Sequence, residues 1–344
     1  MAKRKKSTKK KASFSKAIAK RKPKKKVPFR DIEKDGVTYS FLDEWLLDRE
    51  QARLSYVEGW TTGGLSVPLD FGLAFHDCLE WIAKGRSPKT IKKRVLDEYY
   101  ARKLSKQKKL KLTGDDYLKL EEILAIVDVV FQSYAGYWEK YDTGMQYIYQ
   151  EEPFHIKHQL PSGEIIPIRG RWDAVYEKDG EIWLMENKTK GRIDEEGLQA
   201  SLPYDLQTML YIHCLQQNLG KPVAGVLYNV IRRPGQRRKK VESISEFAER
   251  IQDDVVARPD YYYMRWRVEF LPEDINNWVS RSLEPILEQV INWWKSIKSN
   301  PFEPWDSAEH FQNPTALFTK YGRSRYFDVI TRNRYTGLYQ REKE

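Results

Sequence analysis

Three charged residues, Asp173, Glu186 and Lys188, lie on either side of the dipeptide Asp179-Gly180. That dipeptide strongly favours a two-residue type I′ hairpin turn. Counting outward from such a turn brings Asp173 opposite Glu186, and strand alternation then puts all three charged residues on one face. Carboxylates that face each other repel, so the arrangement needs a cation to balance it.

The pattern predicts two strands, residues 171–176 and 182–188, whose pairing begins at Lys178 and Glu181 and brings Arg171 opposite Lys188. Oxygen ligands on one face suit Mg²⁺ or Mn²⁺, whereas zinc recruits Cys or His. A lysine beside them could orient or deprotonate a metal-bound water, or neutralise a phosphate. The chemistry indicated is hydrolysis of a phosphodiester. The alternative is an exposed hairpin with ordinary surface charges, since Glu-x-Lys alone is very common.

These residues resemble a known family. Gly170-Arg-Trp-Asp173, followed thirteen positions later by Glu186-Asn-Lys188, resembles the core of the PD-(D/E)XK nucleases. The following Thr189-Lys-Gly and the later Gln207-x-x-x-Tyr211 narrow the resemblance to the RecB and Cas4-like exonuclease branch.

The resemblance implies a role for each matched residue. Asp173 and Glu186 are expected to share the metal, together with the backbone carbonyl of Asn187. Lys188 is expected to activate or position water. Gln207 and Tyr211, one helical turn apart, are expected to orient the scissile phosphate or the lysine.

His76 is the further candidate ligand. The spacing from Gly72 to His76 and Glu80 resembles the helix that supplies a metal-binding histidine in RecB-like nucleases. A lone histidine in an apolar helix is otherwise a core residue, and the hairpin's need for more ligands favours the ligand interpretation. Glu80, one turn on along the same face, is a secondary candidate.

The fold class expected is α/β, a PD-(D/E)XK (restriction-endonuclease-like) core with a central mixed sheet flanked by helices and enlarged by helical insertions. The continuous apolar run at residues 223–230 predicts a buried parallel strand after a helical crossover. We expect one nuclease domain over residues 27–344. Its catalytic core would span about residues 146–235, with helical segments 38–138 and 243–332 packing around it.

The net charge of +11 is concentrated at the start of the chain. Residues 1–26 hold 14 Lys or Arg and no acidic residue, whereas the remainder holds 46 basic and 49 acidic residues. Such a segment cannot bury enough surface to fold, so a disordered basic tail is expected that raises affinity for nucleic acid. A nuclear address or an RNA contact would fit the same composition.

A second basic cluster follows the predicted parallel strand. It is expected to contact phosphate, although a solvated loop is the alternative. Its members are Arg232, Arg233, Arg237, Arg238, Lys239 and Lys240.

The chain has only two cysteines, Cys78 and Cys214, so no iron–sulfur cluster is expected. Asp48 stands where cluster-bearing relatives of the resembled branch place a cysteine. Aromatic packing near the end of the chain is expected to replace the cluster, by Phe318, Tyr321, Tyr326 and Phe327.

The function predicted is that of a metal-dependent deoxyribonuclease using Mg²⁺ or Mn²⁺, an exonuclease rather than an endonuclease, acting in DNA recombination, repair or replication. A catalytically silent protein that binds nucleic acid within a DNA-processing complex is the alternative. The partners expected are single- or double-stranded DNA and a helicase, annealing or other recombination protein. No apolar run suggests a membrane, so the expected compartment is the cytoplasm of a bacterial or phage-infected cell.

Overall fold

The computed structural model describes residues 27–106, 110–319 and 322–342. The predicted basic tail, residues 1–26, lies outside the described residues. Within them no helix is long and apolar enough to cross a membrane.

A five-stranded mixed sheet forms the centre of the molecule, in the order β2-β3-β4-β5-β6. Only β4 and β5 run parallel, because the helix Leu206–Leu219 crosses over between them; every other pair is antiparallel. The strands are β1 Trp60–Thr62, β2 Gln146–Gln159, β3 Ile165–Lys178, β4 Glu181–Lys190, β5 Gly225–Arg232, β6 Tyr263–Glu269, β7 Phe318–Thr319, β8 Gly322–Arg323 and β9 Leu338–Gln340.

Helices cover both faces of this sheet, which confirms the predicted α/β architecture. The α-helices are α1 Ile32–Asp35, α2 Tyr39–Leu47, α3 Arg49–Ala52, α4 Val67–Ala83, α5 Asp97–Ser105, α6 Gly114–Trp138, α7 Glu195–Ser201, α8 Leu206–Leu219, α9 Ile244–Ala257, α10 Pro259–Tyr262, α11 Pro272–Trp278, α12 Glu284–Ile297 and α13 Phe327–Arg332. That residues 27–344 form one domain stays a prediction.

Two hydrophobic clusters lie on opposite sides of the sheet. One joins α2, α8 and α12 to β3, β4 and β5, with Leu184, Ile212 and Trp293 among its buried members. The other joins α4, α6 and α9, with Phe75 and Phe131 fully buried. Because β4 and β5 are covered on both faces, their side chains are almost continuously buried, as expected of parallel strands.

The hairpin of β3 and β4 forms with the predicted turn. Asp179 and Gly180 have φ of 55° and 82°, the two positive values that a type I′ turn requires, and Lys178 pairs with Glu181. The ladder continues only to the pair of Ala174 with Met185. The predicted pairs of Asp173 with Glu186 and of Arg171 with Lys188 are therefore absent from the ladder, because the strands separate there.

The N-terminal helical segment is interrupted at Asp48, whose carboxylate caps α3 by accepting from the backbone N–H of Glu50 at 3.0 Å. The same carboxylate accepts from the Gln51 amide at 3.1 Å and from the N–H of Asn313 at 3.3 Å. Buried hydrogen bonds thus join this segment to the end of the chain.

The prediction that aromatic side chains pack together near the end of the chain is wrong in part. Phe318 is 62% exposed and only Tyr326 is fully buried, while Tyr321 lies outside the described residues. Much of the contact between the end of the chain and the segment at Asp48 is polar, because Asp48 and Gln51 are buried there.

Candidate metal and catalytic site

Three ligand groups converge where β3 and β4 separate. His76 of α4, Glu151 of β2 and Asp173 of β3 each offer one ligand atom, and these atoms lie within 4.8 Å of one another. His76 Nδ1 is 3.3 Å from Glu151 Oε1 and 3.8 Å from Asp173 Oδ1. Sequence analysis predicted two members of this trio and missed Glu151.

Glu151 reaches the trio through an unusual backbone. It has φ of 47° and faces Asp173 between the pairs Gln150–Ala174 and Glu152–Trp172. Left-handed backbone is uncommon in a residue other than glycine and costs roughly 1–3 kcal/mol, and such residues cluster at functional sites. Glu151 belongs to no motif in the sequence, and strand alternation does not foresee a local reversal of φ.

The trio perturbs the histidine. Burial acts to lower the pKa of His76, but the hydrogen bond with Glu151 and the charges of Asp173 and Glu151 outweigh it, so the pKa is raised. The ring thus lies beside two carboxylates, an arrangement that also suits a cation.

Glu186 of β4 lies on the other side of the gap where β3 and β4 separate. It is completely buried, and its Oε2 accepts from Lys188 Nζ at 2.8 Å, while Oε1 has no hydrogen-bond partner among the described residues. Burial raises the pKa of Glu186 to about 7, Lys188 opposes the rise and Asp173 adds to it. A buried carboxylate oxygen without a partner is costly and fits a site for a divalent cation.

Lys188 is held between two acceptors. Its ammonium donates to Glu186 and, at 2.7 Å, to Gln207 Oε1 on α8. Burial acts to lower the pKa of Lys188, but Glu186 and Asp173 outweigh it and the pKa is raised.

Tyr211, one turn after Gln207, contacts β3, and a role in orienting the phosphate or the lysine stays a prediction. It is buried, packs edge-on against Phe154 with ring centroids 5.3 Å apart, and its hydroxyl accepts from the backbone N–H of Arg171. Burial raises the pKa of this phenol. These contacts hold β3 in place at Arg171, two residues before Asp173.

Asn187 fixes the opposite strand. Its backbone N–H donates to Asp173 Oδ2 at 2.7 Å, and its side-chain oxygen accepts from Asn229 at 2.7 Å. Asn229 is fully buried and in turn accepts from Arg265 at 3.0 Å. The side chain of Asn187 therefore belongs to a polar network with Asn229 and Arg265.

Glu80 lies at the edge of the trio. It lines a hollow of about 180 Å³ with Glu151, Asp173 and Asn187, and it forms an ion pair with Lys84. The structure therefore puts this secondary candidate beside the ligand groups and outside the trio.

The predicted phosphate-binding residues divide into three groups. Arg232 donates to the carbonyl of Tyr261 at 2.8 Å, and Arg238 pairs with Glu122 at 2.9 Å, so both hold neighbouring elements. Arg233 and Arg237 line a cleft. Lys239 and Lys240 are exposed at the following turn.

A family model and a curated protein each match part of this chain. The sequence model of the PD-(D/E)XK nuclease superfamily matches residues 49–309. A curated protein of Staphylococcus epidermidis, named as a subunit of an ATP-dependent helicase/nuclease, is 33% identical over 94 residues, which make up 24% of this chain and 8% of that protein. The chain therefore spans less than a tenth of the length of that relative.

One solved structure, described as the crystal structure of SSO0001, is 14% identical and covers 74% of this chain and 84% of its own. Its TM-score is 0.28, too low for the likeness to carry an inference.

Proposed function

Because the chain belongs to the PD-(D/E)XK nuclease superfamily, we propose that it is a DNA nuclease that depends on Mg²⁺ or Mn²⁺. The observation that carries the proposal is the convergence of His76, Glu151 and Asp173 beside the pair of Glu186 and Lys188. One imidazole and three carboxylates form a nitrogen and oxygen donor set that suits these metals.

The site residues would have different roles in hydrolysis. His76, Glu151, Asp173 and Glu186, with the backbone carbonyl of Asn187, would hold the metal, which when bound supplies Lewis acidity and lowers the pKa of coordinated water. Lys188 orients the attacking water or stabilises charge on the phosphate, and Gln207 fixes the direction of its ammonium.

We further propose exonuclease rather than endonuclease action, in recombination, repair or replication. The matching relative is named as part of a helicase/nuclease, so a helicase is the first partner to test.

The deciding experiment compares Asp173→Asn and Glu186→Gln with the unchanged protein on end-labelled linear DNA, with Mg²⁺, Mn²⁺ or EDTA. Each variant is expected to lose cleavage by about 10²-fold or more, because a metal ligand contributes several kcal/mol to the transition state. DNA binding should persist, since both changes remove negative charge beside the phosphate. Lys188→Gln should lose turnover while metal affinity, measured by calorimetry, changes less.

Glu177→Gln is the matched control, because Glu177 is an exposed carboxylate on the same strand. It should cleave normally. Cleavage that persists in Asp173→Asn, or an unchanged protein that binds DNA and never cleaves it with either metal, would contradict the proposal; the second result would favour the catalytically silent binding protein. Linear and closed circular substrates distinguish exonuclease from endonuclease action.

A further inference from the structure

A cleft of about 990 Å³ opens at the carboxyl ends of the parallel strands β4 and β5. Its walls are the first turns of α4, the middle of α6, and the segments that follow the two strands. In sheets with parallel strands, ligands bind beyond the carboxyl ends of the strands. Neither the predicted ligand set nor the trio of His76, Glu151 and Asp173 uses this cleft.

The rim of the cleft is basic. Its five cationic side chains form no ion pair within the parts of the chain that the structure describes. Among the described residues that line the cleft, Glu122 is the one acidic group, and Arg238 neutralises it. The five are Lys119, Lys190, Arg192, Arg233 and Arg237. Unpaired cations around one opening favour a polyanionic occupant.

The remaining lining side chains are mainly apolar. They come from α4 and α6, and they include the accessible Val67 and the half-buried Ile126, with Phe71 and Ile123 buried. A duplex presents mostly phosphate and sugar to a protein surface, whereas a single strand can also turn its bases onto apolar groups. The combination of cationic rim and apolar floor therefore favours a single strand over a duplex.

The cleft and the catalytic residues lie on the same two elements, α4 and β4. Lys190 follows Lys188 by two residues on β4, and Pro68, which lines the cleft, precedes His76 by two turns of α4, or about 12 Å. Between them the helix lies directly on the strand. A Cβ added to Gly72 would lie 2.8 Å from Thr189 Oγ1. The cleft therefore lies within the length of a few nucleotides of the trio along α4, on the other side of this contact.

We propose that this cleft binds a few nucleotides of single-stranded DNA that flank the phosphate to be cut. The proposal rests on the nuclease function proposed above and adds a substrate subsite to it. Bases contact the apolar floor, and phosphates contact Lys119 and Arg237 at the rim. A duplex end must separate before its strand can enter.

The test measures affinity for a fluorescent oligothymidylate as a function of salt, in the full chain with Ca²⁺ in place of Mg²⁺. The double variant Lys119→Gln/Arg237→Gln should flatten the slope of log affinity against log salt by about 1.4, because each phosphate of a single strand that a cation neutralises adds about 0.7 to that slope. Both residues are exposed, so folding should be unaffected. The matched control is Lys178→Gln/Lys221→Gln, which removes two charges at the opposite end of the sheet and should leave the slope unchanged.

A second variant tests the floor of the cleft without touching its cations. Val67 is 39% exposed and begins α4, where a glutamate is favourable to the helix dipole. Val67→Glu should therefore keep its melting temperature while weakening oligothymidylate binding several-fold.

Equal slopes in the cleft variant and the unchanged protein, or equal flattening in the control, would overturn the proposal. So would an equal loss of affinity for a blunt duplex with closed ends. These outcomes are separate from failure of the nuclease function, because cleavage by the unchanged protein with Mg²⁺ is assayed on the same DNA. A protein that cuts DNA and fails the salt test is a nuclease without this subsite.

Discussion

The residues of the site are held by two strands that part at the place where chemistry is expected. Asp173 would repel Glu186 across a continued ladder, and instead it accepts the N–H of Asn187. Separation of the strands opens room for a cation between carboxylates that a closed ladder would force into direct contact. Glu151 enters the same space only because its backbone is left-handed.

Substitution of Glu151 provides the most specific test of an individual metal ligand. Glu151→Gln should lower Mn²⁺ affinity by at least about 10- to 100-fold, the range seen when supporting groups of metal sites are removed. Calorimetric titration with Mn²⁺ measures this directly, and cleavage should fall with it. The change keeps the size of the side chain and the left-handed backbone, so the fold should survive.

Glu152→Gln is the matched control for this prediction. Glu152 is the next residue and is exposed. Its variant should bind Mn²⁺ as the unchanged protein does. Unaltered Mn²⁺ affinity in Glu151→Gln would remove Glu151 from the ligand set.

Among the secondary-structure elements, helix α8 both orients Lys188 and packs into the core. Its first turn supplies Gln207 to Lys188, and its later turns pack into the core on β2 and β3. His213 of this helix is 9% exposed and lies 3.2 Å from His158 of β2, ring nitrogen to ring nitrogen. The helix that orients Lys188 is therefore anchored through a buried pair of histidines.

This pair makes stability depend on pH. Burial, with a smaller contribution from His158, lowers the pKa of His213 to about 4, whereas the unfolded chain has a histidine pKa of about 6.5. Below that value the unfolded state takes up a proton that the folded state does not. His213 therefore leaves stability unaffected above about pH 6.5 and destabilises the fold increasingly as the pH falls toward 4. The loss at about pH 5 should be about 2 kcal/mol.

Chemical denaturation at neutral pH and at about pH 5 measures the effect. His213→Gln should show a smaller loss of unfolding free energy on acidification than the unchanged protein. His155→Gln, which changes an exposed histidine on the same strand as His158, should show the full loss. Parallel pH profiles for all three proteins would mean that His213 titrates normally in the fold.

At the scale of the whole molecule, charge is divided between the tail and the body. Residues 1–26 hold 14 of the 60 basic side chains, while acidic groups slightly outnumber basic ones in the remainder. Cations of the body can still bind DNA where they gather without acidic partners, as at the rim of the cleft. The cleft holds its cations at fixed positions on the body.

Deletion of residues 1–26 should leave the melting temperature and Mn²⁺ affinity unchanged and weaken DNA binding at low salt. For every phosphate that the tail neutralises, its removal should flatten the slope of log affinity against log salt by about 0.7 to 0.9. Turnover at saturating DNA should hardly change. An unaltered salt slope would assign the tail another role, such as an address or a protein-docking segment.

The sequence by itself determined the hairpin, the parallel strand and most of the helices. These features are local: Asp179-Gly180 dictates a turn with two positive φ values, and an apolar run bounded by Gly220 and Arg232 leaves few alternatives to a buried strand. The spacing of Asp173, Glu186 and Lys188 along that hairpin was sufficient to indicate metal-dependent chemistry.

Only the tertiary structure decided which side chains meet. Glu151 lies 75 residues from His76 and reaches it through a reversal of φ that strand periodicity cannot foresee. The difference between Arg233, at the cleft, and Arg238, paired with Glu122, depends on where α6 packs. Contacts between distant segments depend on how the two hydrophobic clusters pack around the sheet. The spacing of residues along the chain does not encode the distance between side chains of such segments.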